Sequence, residues 1–269
     1  MSTLTTDVPR ASHNPPPSAT PRGNLARDTW TVLTREMRPL ARDPFQVVFS
    51  MIQPLVFLAL FAPLLPDLGD TSALQWFVPG IVAMSCLMGT SMVGSNLLLE
   101  MQTGSHERLL VAPLRRSALL LGRAMKEIVP MLAQTAIIVA VATPFSFELH
   151  LIGVIAGVAI LALFCVGAAS LSYALALACK GRDWMFWAVQ QTILFPILLL
   201  AGMLLPVENG PTWLRTASQI NPLTHVVDAE RALFAGTFPV GTVLGGVAAA
   251  AAVAVVGLWV GLRAMHRSS

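Results

Sequence analysis

The stretch Glu100–Lys126, EMQTGSHERLLVAPLRRSALLLGRAMK, is the longest polar interruption between hydrophobic segments on the side of the chain that carries most of the positive charge. Its centre is a small apolar cluster formed by Leu109, Leu110, Val111 and Leu114. Four charged residues bracket this cluster, namely Glu107, Arg108, Arg115 and Arg116. A segment with this pattern can lie on a membrane surface or insert into a groove on a soluble partner.

The composition around this stretch is typical of an integral membrane protein. Hydrophobic residues make up 55% of the chain, charged residues only 12%, and the mean hydropathy is +0.70. A soluble domain carries about 25% charged residues. The net charge of +3 is small, so no nucleic-acid partner is indicated. Cys86, Cys165 and Cys179 lie in apolar segments, and their odd number and spacing favour packing over a metal site or disulfides.

The hydrophobic pattern predicts an all-α, polytopic fold with six transmembrane helices. The predicted spans are 45–66, 78–99, 128–147, 151–179, 184–205 and 240–262, within a membrane domain over 44–269. Residues 1–23 are rich in Ser, Thr and Pro and are predicted to form a disordered cytoplasmic tail. Residues 24–43 are predicted to form an amphipathic helix at the membrane interface, with Trp30, Leu33 and Met37 on its apolar face and Asp28 away from it.

Lysine and arginine set the predicted orientation. With alternate loops assigned to the cytoplasm, fifteen of the 17 basic residues lie inside, so both termini are predicted to be cytoplasmic. The connection between the fifth and sixth spans, 206–239, is long, and Asn221-Pro222 divides it into two short helices. The second of these has an apolar face that includes Leu223 and Phe234 and a polar face that includes Asp228 and Glu230. We expect a re-entrant helical hairpin here.

Several kinds of chemistry are missing from the sequence. None of the six predicted spans contains Asp, Glu, Lys, Arg or His, which disfavours an ion-coupled carrier. There is no GxxxxGK[ST] phosphate-binding loop, and no two histidines have metal-ligand spacing, so we predict neither catalytic nor metal-binding residues. The amides within the spans can hydrogen-bond between helices or line a pathway; they are Gln46, Gln53, Asn96, Gln134, Gln190 and Gln191.

Two motifs and the overall layout resemble a known family. GSHERLLVAPLRRSALLLGR, from Gly104 to Arg123, is similar to a Gly-Thr-x-Glu-Arg-Leu-Leu segment that leads to a proline, a basic residue and a Leu-Gly-Lys/Arg helix start. INPLTHVVDAERALFAG, from Ile220 to Gly236, is similar to an Asn-Pro-Leu-Thr-x-x-Val-x-x-x-Arg region. Both patterns belong to type-2 ABC transporter permeases of the drug-export, daunorubicin-resistance-like group. The chain departs from the first pattern at Ser105-His106.

The resemblance implies a division of labour. Two permease subunits, forming a homodimer or a heterodimer, would associate with two ABC ATP-binding subunits. ATP and Mg would be bound by those partners, and this chain would bind no cofactor and would not be an enzyme. The segment 104–116 would couple the permease to the ATPase, and the interfacial helix would transmit movement. The residues implied in ATPase coupling are Glu107, Arg108, Leu109, Leu110, Pro113, Leu114, Arg115 and Arg116. Those implied in an external gate are Asn221, Pro222 and Asp228.

The leading hypothesis is therefore an ATP-driven exporter subunit in the bacterial cytoplasmic (inner) membrane. Its cargo would be amphipathic drugs, antibiotics or lipid-like molecules, because apolar spans suit such cargo. The alternatives are an exporter of polysaccharide or polymer precursors and a membrane scaffold that does not transport. Low aromatic content, 7% with a single tyrosine, favours small amphipathic molecules or lipids.

Overall fold

The computed structural model describes residues 24–42, 45–64, 72–105, 109, 115–145, 147–203, 207 and 210–267, and every regular element within them is helical. The predicted tail 1–23 lies outside the described residues. The helices are α1 (Leu25–Arg42), α2 (Phe45–Ser50), α3 (Ile52–Phe61), α4 (Ala73–Gln102), α5 (Arg116–Lys126), α6 (Ile128–Ala142), α7 (Leu151–Ala178), α8 (Asp183–Leu200), α9 (Thr212–Ile220), α10 (Pro222–Phe234) and α11 (Val240–Arg267). A short 3-10 helix, Ala62–Leu64, follows α3.

Five stretches of helix in the described residues are long and apolar enough to cross a membrane. They are Ala73–Gln102, Arg116–Ala142, Leu151–Ala178, Asp183–Leu200 and Val240–Arg267. Each contains most of one predicted span, from the second to the sixth. The first predicted span, 45–66, is divided between α2 and α3, and its apolar helix Val48–Phe61 is shorter than a single spanning helix.

The ends of the helices follow local sequence signals. Ser72 accepts a hydrogen bond from the Gln75 backbone N–H (3.1 Å) and caps α4, which therefore begins five residues before the predicted span at 78. Asn221 caps α10 in the same way, with Pro222 as its first residue. Gly181 and Gly236, just beyond α7 and α10, have φ values of 78° and 72°, a conformation that favours glycine.

Helix α7 lies at the centre of the bundle and packs against α4, α10 and α11. Small residues permit this close packing: a Cβ at Gly153 would meet the backbone oxygen of Leu233 in α10, and a Cβ at Gly167 would meet the backbone of Val253 in α11. Tyr173 of α7 and Phe77 of α4 are among the largest fully buried side chains. The core therefore combines close backbone approach with a few large aromatic residues.

The connection between the fifth and sixth predicted spans contains two helices, α9 and α10, as the break at Asn221-Pro222 predicts. The predicted apolar face of α10 is buried, including Leu223 and Phe234. One assignment was wrong: Glu230, expected on the polar face, is 0% exposed. The reason is that α10 packs against α4, α7 and α11. A helix with three neighbours is buried over more of its surface than one apolar face.

Helix α1 lies against α5 through the side that the sequence pattern marks as polar. Asp28 and Val32 are buried, whereas Trp30 on the predicted apolar face is 66% exposed. A Cβ at Gly122 would come within 2.7 Å of the Val32 side chain, so glycine allows α1 to approach α5 closely. The sequence pattern places Asp28 away from the apolar face, and the structure shows that this side of α1 packs on α5 of the same chain instead of facing water.

Candidate coupling site and transport pathway

The structure places three of the predicted coupling residues. Leu109 is buried, Arg115 is the exposed N-cap residue of α5, and Arg116 donates through Nη1 to the Met265 backbone oxygen of α11 (3.2 Å). The other five lie outside the described residues; they are Glu107, Arg108, Leu110, Pro113 and Leu114. Helix α5 thus begins at the last residue of the segment 104–116, and a hydrogen bond from this residue joins it to the last helix.

Further along α5, the buried Arg123 pairs with two half-buried glutamates in a network that we call the Arg123 cluster: Arg123, Glu36, Glu100 and Tyr173. Arg123 is 5% exposed. Its Nε lies 3.5 Å from Glu36 Oε1 of α1, an ion-pair contact without a hydrogen bond. Its Nη2 donates a hydrogen bond to Glu100 Oε2 of α4, and its guanidinium lies 5.6 Å from the ring centroid of Tyr173 in α7. One side chain therefore joins four helices.

The energetics of this network make it a rigid connection. A guanidinium can satisfy two carboxylates at once because its donors have a fixed planar arrangement. Removing one member of a fully buried ion pair leaves the remaining charge uncompensated and typically costs about 3–5 kcal/mol. The cost is lower here because Glu36 and Glu100 are half-buried. A displacement of α5 must therefore either carry α1 and α4 with it or break these contacts.

Beside the Arg123 cluster is a cavity of about 370 Å³ between α1, α2, α4, α5 and α6, which we call the α1 cavity. Its lining mixes charged groups with apolar ones and includes Glu36, Glu100, Glu127 and Lys126. Lys126 Nζ lies 3.4 Å from Glu127 Oε1. Deeper in the cavity, Gln134 Nε2 donates to Ser50 Oγ (2.8 Å), joining α6 to α2.

A second polar group, the Arg231 cluster, joins α10 to α4 and to the end of α8; it comprises Arg231, Asp228, Trp76 and Gly202. The Arg231 guanidinium lies 3.8 Å from the Trp76 ring centroid, and its Nη2 donates to the Gly202 backbone oxygen (2.6 Å). Asp228 Oδ1 is 3.8 Å from Arg231 Nη1. The guanidinium thus stacks on the tryptophan through one face and donates hydrogen bonds to backbone oxygens through its N–H groups.

The three predicted gate residues lie on this part of α10. Asn221 is buried: its side chain accepts from the Leu223 backbone N–H (3.1 Å) and donates to the Ile197 backbone oxygen of α8 (2.8 Å). Pro222 is the first residue of α10, and Asp228 belongs to the Arg231 cluster. These contacts give Asn221 and Asp228 definite structural roles at the junction of α8, α9 and α10.

A third feature is a largely apolar cavity of about 360 Å³ between α8 and the helices α4 and α7, which we call the α8 cavity. The start of α10 also contributes to its lining. None of the residues that the structure shows lining it carries a charge. Its lining includes Thr90, Ala168, Gln190, Leu194 and Asn221. The volume is within the roughly 300–1,000 Å³ range of small-molecule sites.

With this geometry in place, comparison with known proteins defines the family. Residues 27–235 match the model of the ABC-2 type transporter family, which is well over half of the chain. The chain belongs to the ABC-2 type transporter family. The match begins in α1 and ends just after α10, so it includes both the Arg123 and the Arg231 clusters.

Individual relatives of this ABC-2 protein are named as permeases. It is 24% identical over 221 residues to the daunorubicin resistance ABC transporter permease protein DrrB1 of Streptomyces coeruleorubidus, covering 80% of this chain and 78% of that protein. It is 29% identical over 166 residues to the "Probable multidrug ABC transporter permease YbhR" of Escherichia coli, covering 60% of this chain but only 44% of that protein. Such proteins are membrane subunits, and the apolar helices found here fit a multi-pass membrane protein of this kind.

The remaining predicted residues of the ABC-2 chain lie on α1. Trp30 is exposed, and Leu33 and Met37 are half-buried. Of these three residues, only Trp30 is largely accessible on the surface. Among the described residues there is no group of three or more His, Cys, Asp or Glu side chains placed to hold a metal ion.

Sequence reasoning missed the Arg123 cluster and the buried state of Glu230. The sequence signal for the cluster was present in part, because Glu36, Glu100 and Arg123 each lie near the end of a predicted helix on the basic side of the chain. Their pairing depends on contacts between residues far apart in the chain, which no local pattern reveals. For Glu230 the helical period placed the residue with polar neighbours, and only packing shows that it is covered.

Proposed function

We propose that this ABC-2 chain is the permease subunit of an ATP-driven exporter of amphipathic drugs, antibiotics or lipid-like molecules. ATP and Mg are bound by a separate ATP-binding subunit, and a second permease chain, identical or similar, completes the membrane part. Support comes from the family match and from relatives named as daunorubicin-resistance and multidrug permeases. The apolar α8 cavity is consistent with cargo of this kind.

The observation that carries this proposal is the Arg123 cluster. In the proposed mechanism, the segment 104–116 docks on the ATP-binding subunit and is displaced when that subunit closes on ATP. Because Arg123 lies on the helix that follows this segment and contacts Glu36, Glu100 and Tyr173, movement of α5 is passed to α1, α4 and α7. The leucines of the segment supply buried area, whereas its charges set orientation and association rate.

The proposed membrane arrangement has six spans with both termini in the cytoplasm of a bacterial cell. The two short helices α2 and α3 together form the first span, and a break at Met51 bends it. Helix α1 lies at the cytoplasmic interface, with the exposed Trp30 on its lipid side. Helices α9 and α10 form a hairpin that enters the outer half of the bundle, where Asn221, Pro222 and Asp228 shape a gate.

Association with an ATPase is the direct test. The tagged chain is extracted from native membranes, and co-purifying proteins are identified and quantified by mass spectrometry. The proposal predicts a stoichiometric protein with a P-loop, and ATPase activity in the purified complex. A folded, inserted chain that never retains such a subunit would support the membrane-scaffold alternative instead.

A matched pair of variants locates the contact. Arg115→Glu reverses an exposed charge beside the coupling segment, and Arg215→Glu makes the same change on α9. We expect Arg115→Glu to reduce retention of the ATP-binding subunit by about tenfold, since charge reversal at an interface opposes association. Arg215→Glu should leave retention unchanged. Equal retention by both variants would place the contact elsewhere.

A further inference from the structure

The α8 cavity contains one polar group that its surroundings do not satisfy. Gln190 of α8 lines the cavity and is 8% exposed, and its Oε1 has no hydrogen-bond partner among the residues that the structure describes. It lies seven residues after Asp183, about 10 Å along the helix axis. A buried amide oxygen without a donor is unfavourable, because it has lost its hydrogen bonds to water and gained none in return.

The other polar groups of the cavity are already engaged within the protein. Thr90 Oγ1 donates to the Cys86 and Leu87 backbone oxygens (3.0 and 2.9 Å), and Ser172 Oγ donates to the Ser91 backbone oxygen (2.9 Å). Asn221 uses its amide N–H for Ile197 and its amide oxygen for Leu223. The hydroxyl groups of Thr90 and Ser172 and the amide of Asn221 are therefore in use, whereas the amide oxygen of Gln190 is unpartnered among the described residues.

The lining also excludes most classes of ligand. It is almost entirely apolar, and no charged side chain contributes to it among the residues described. An ionised ligand would leave water without gaining a counter-charge, which is strongly unfavourable. The α1 cavity differs in this respect, because glutamates and a lysine line it. The α8 cavity suits an uncharged body with a single hydrogen-bond donor.

We propose that the α8 cavity binds an uncharged, largely apolar molecule that donates one hydrogen bond to Gln190 Oε1. The binding claim stands on the cavity itself, whereas the use of this site in export rests on the proposed function. The molecule is either a transported solute or a neutral membrane lipid with a hydroxyl group, since both present the same chemistry. In either case Gln190 favours a ligand with a hydrogen-bond donor, and the apolar lining of the cavity favours a ligand that is otherwise apolar.

A pair of fluorescent probes isolates the hydrogen bond. The full chain, without an ATP-binding subunit, is reconstituted in phosphatidylcholine nanodiscs and titrated with 1-pyrenemethanol, with its methyl ether, which lacks the donor, and with 1-pyrenemethylammonium, which is charged. Saturable binding to the protein is separated from partition into lipid with empty nanodiscs. We expect the alcohol to bind about five- to tenfold more tightly than the ether, and the ammonium probe to bind most weakly.

Variants of neighbouring residues assign this preference to Gln190. Gln190→Met keeps the length of the side chain and removes the acceptor, so the alcohol and ether should bind about equally. Gln191→Met is the matched control, because Gln191 is exposed and does not line the cavity, and it should keep the preference. Ala168→Phe fills the cavity and should abolish saturable binding of both probes. Equal binding of alcohol and ether to the unmodified protein, or an unchanged preference in Gln190→Met, would overturn the proposal.

Two further measurements distinguish a membrane lipid from a transported solute as the natural ligand of the α8 cavity. A neutral hydroxyl-bearing lipid that co-purifies stoichiometrically and is lost in Ala168→Phe identifies a lipid site. ATP-dependent export of 1-pyrenemethanol that falls in Gln190→Met identifies cargo. Because binding is measured without the ATP-binding subunit, the expected probe preference without any associated ATPase would refute the proposed function alone. An associated, active ATPase with no probe preference would refute this binding site alone.

Discussion

Arg123 Nε of α5 lies 3.5 Å from Glu36 Oε1 of α1, across the contact at which Gly122 admits the Val32 side chain. Two neighbouring residues of α5 thus have different roles. Gly122 allows α1 and α5 to approach closely, and Arg123 forms an ion pair between them. Gly122 and Arg123 belong to the Leu-Gly-Arg sequence of α5, the helix that leads on from the segment 104–116. This relationship makes α1 part of the proposed coupling path.

Arg123→Met should destabilise the protein by about 2 kcal/mol, because it leaves the half-buried Glu36 and Glu100 carboxylates without a cation. This corresponds to a fall in Tm of roughly 4–8 °C for a chain of this size. Thermal unfolding in detergent measures it. The double variant Arg123→Met with Glu36→Gln should recover part of the loss, since it removes one of the two uncompensated charges. Additive losses in the double variant would show that Arg123 and Glu36 do not interact energetically.

Glu230 predicts a pH dependence of stability. The residue belongs to α10, outside the five candidate spans, and its two carboxylate oxygens have no hydrogen-bond partner in the described part of the chain. Burial raises the pKa of Glu230 well above its ordinary value. The folded state therefore holds the proton more tightly than the unfolded state. Stability from this proton is complete below the unfolded pKa of about 4.3 and is lost as pH rises through the raised folded pKa.

We accordingly expect Tm to fall between pH 5 and pH 8, and Glu230→Gln to reduce this fall because glutamine stays neutral with the same shape. Glu148→Gln provides the control, as Glu148 is exposed in the connection between α6 and α7. The measurement is Tm against pH for the three proteins in one detergent. Parallel curves for the unmodified chain and Glu230→Gln would contradict the assignment.

Packing of α7 against α10 predicts opposite effects for two glycine substitutions. In Gly153→Ala the new methyl group would meet the Leu233 backbone oxygen, which cannot move without shifting α10. We expect a loss of about 1–3 kcal/mol. In Gly245→Ala the methyl group meets nothing within 4 Å, so the higher helix propensity of alanine should make the change neutral or favourable by up to about 1 kcal/mol. Equal Tm changes would show that α7 and α10 are not in close contact.

Cysteine labelling tests the proposed orientation. In a background without Cys86, Cys165 and Cys179, Asp70→Cys should react with a membrane-impermeant maleimide in intact cells, whereas Ser105→Cys should react only after permeabilisation. The three native cysteines are buried and should react slowly with the maleimide, and their replacement removes the remaining background. Arg215→Cys should behave like Asp70→Cys. The reverse pattern would invert the topology.

Local features of the structure could be predicted from the sequence. Apolar runs located the long helices, and the Asn221-Pro222 break located the boundary between α9 and α10, because capping and the conformational limits of proline act over a few residues. The first predicted span was less well described. Its apolar content is real, but the chain turns at Met51 between α2 and α3, and hydropathy does not report on such a break.

Features that depend on packing between helices could not be predicted from the sequence. Gln190 and Gln191 are adjacent and equivalent in sequence, yet one is buried in the α8 cavity and the other is exposed. Helical period distinguishes two faces of α10 but not the number of helices around it, which is why Glu230 was misplaced. Arg123 and Glu36 belong to different helices, so their contact arises only when α1 folds back onto α5.

Transport in proteoliposomes shows whether this chain depends on an ATP-binding subunit to move a solute. Vesicles that contain this chain with its ATP-binding subunit are compared with vesicles that contain this chain alone, using an apolar fluorescent solute and added ATP. We expect ATP-dependent movement of the solute only when both subunits are present, and its loss in Arg115→Glu. Uphill transport at full rate by this chain alone would show that no ATP-binding subunit is needed and would contradict the proposed function.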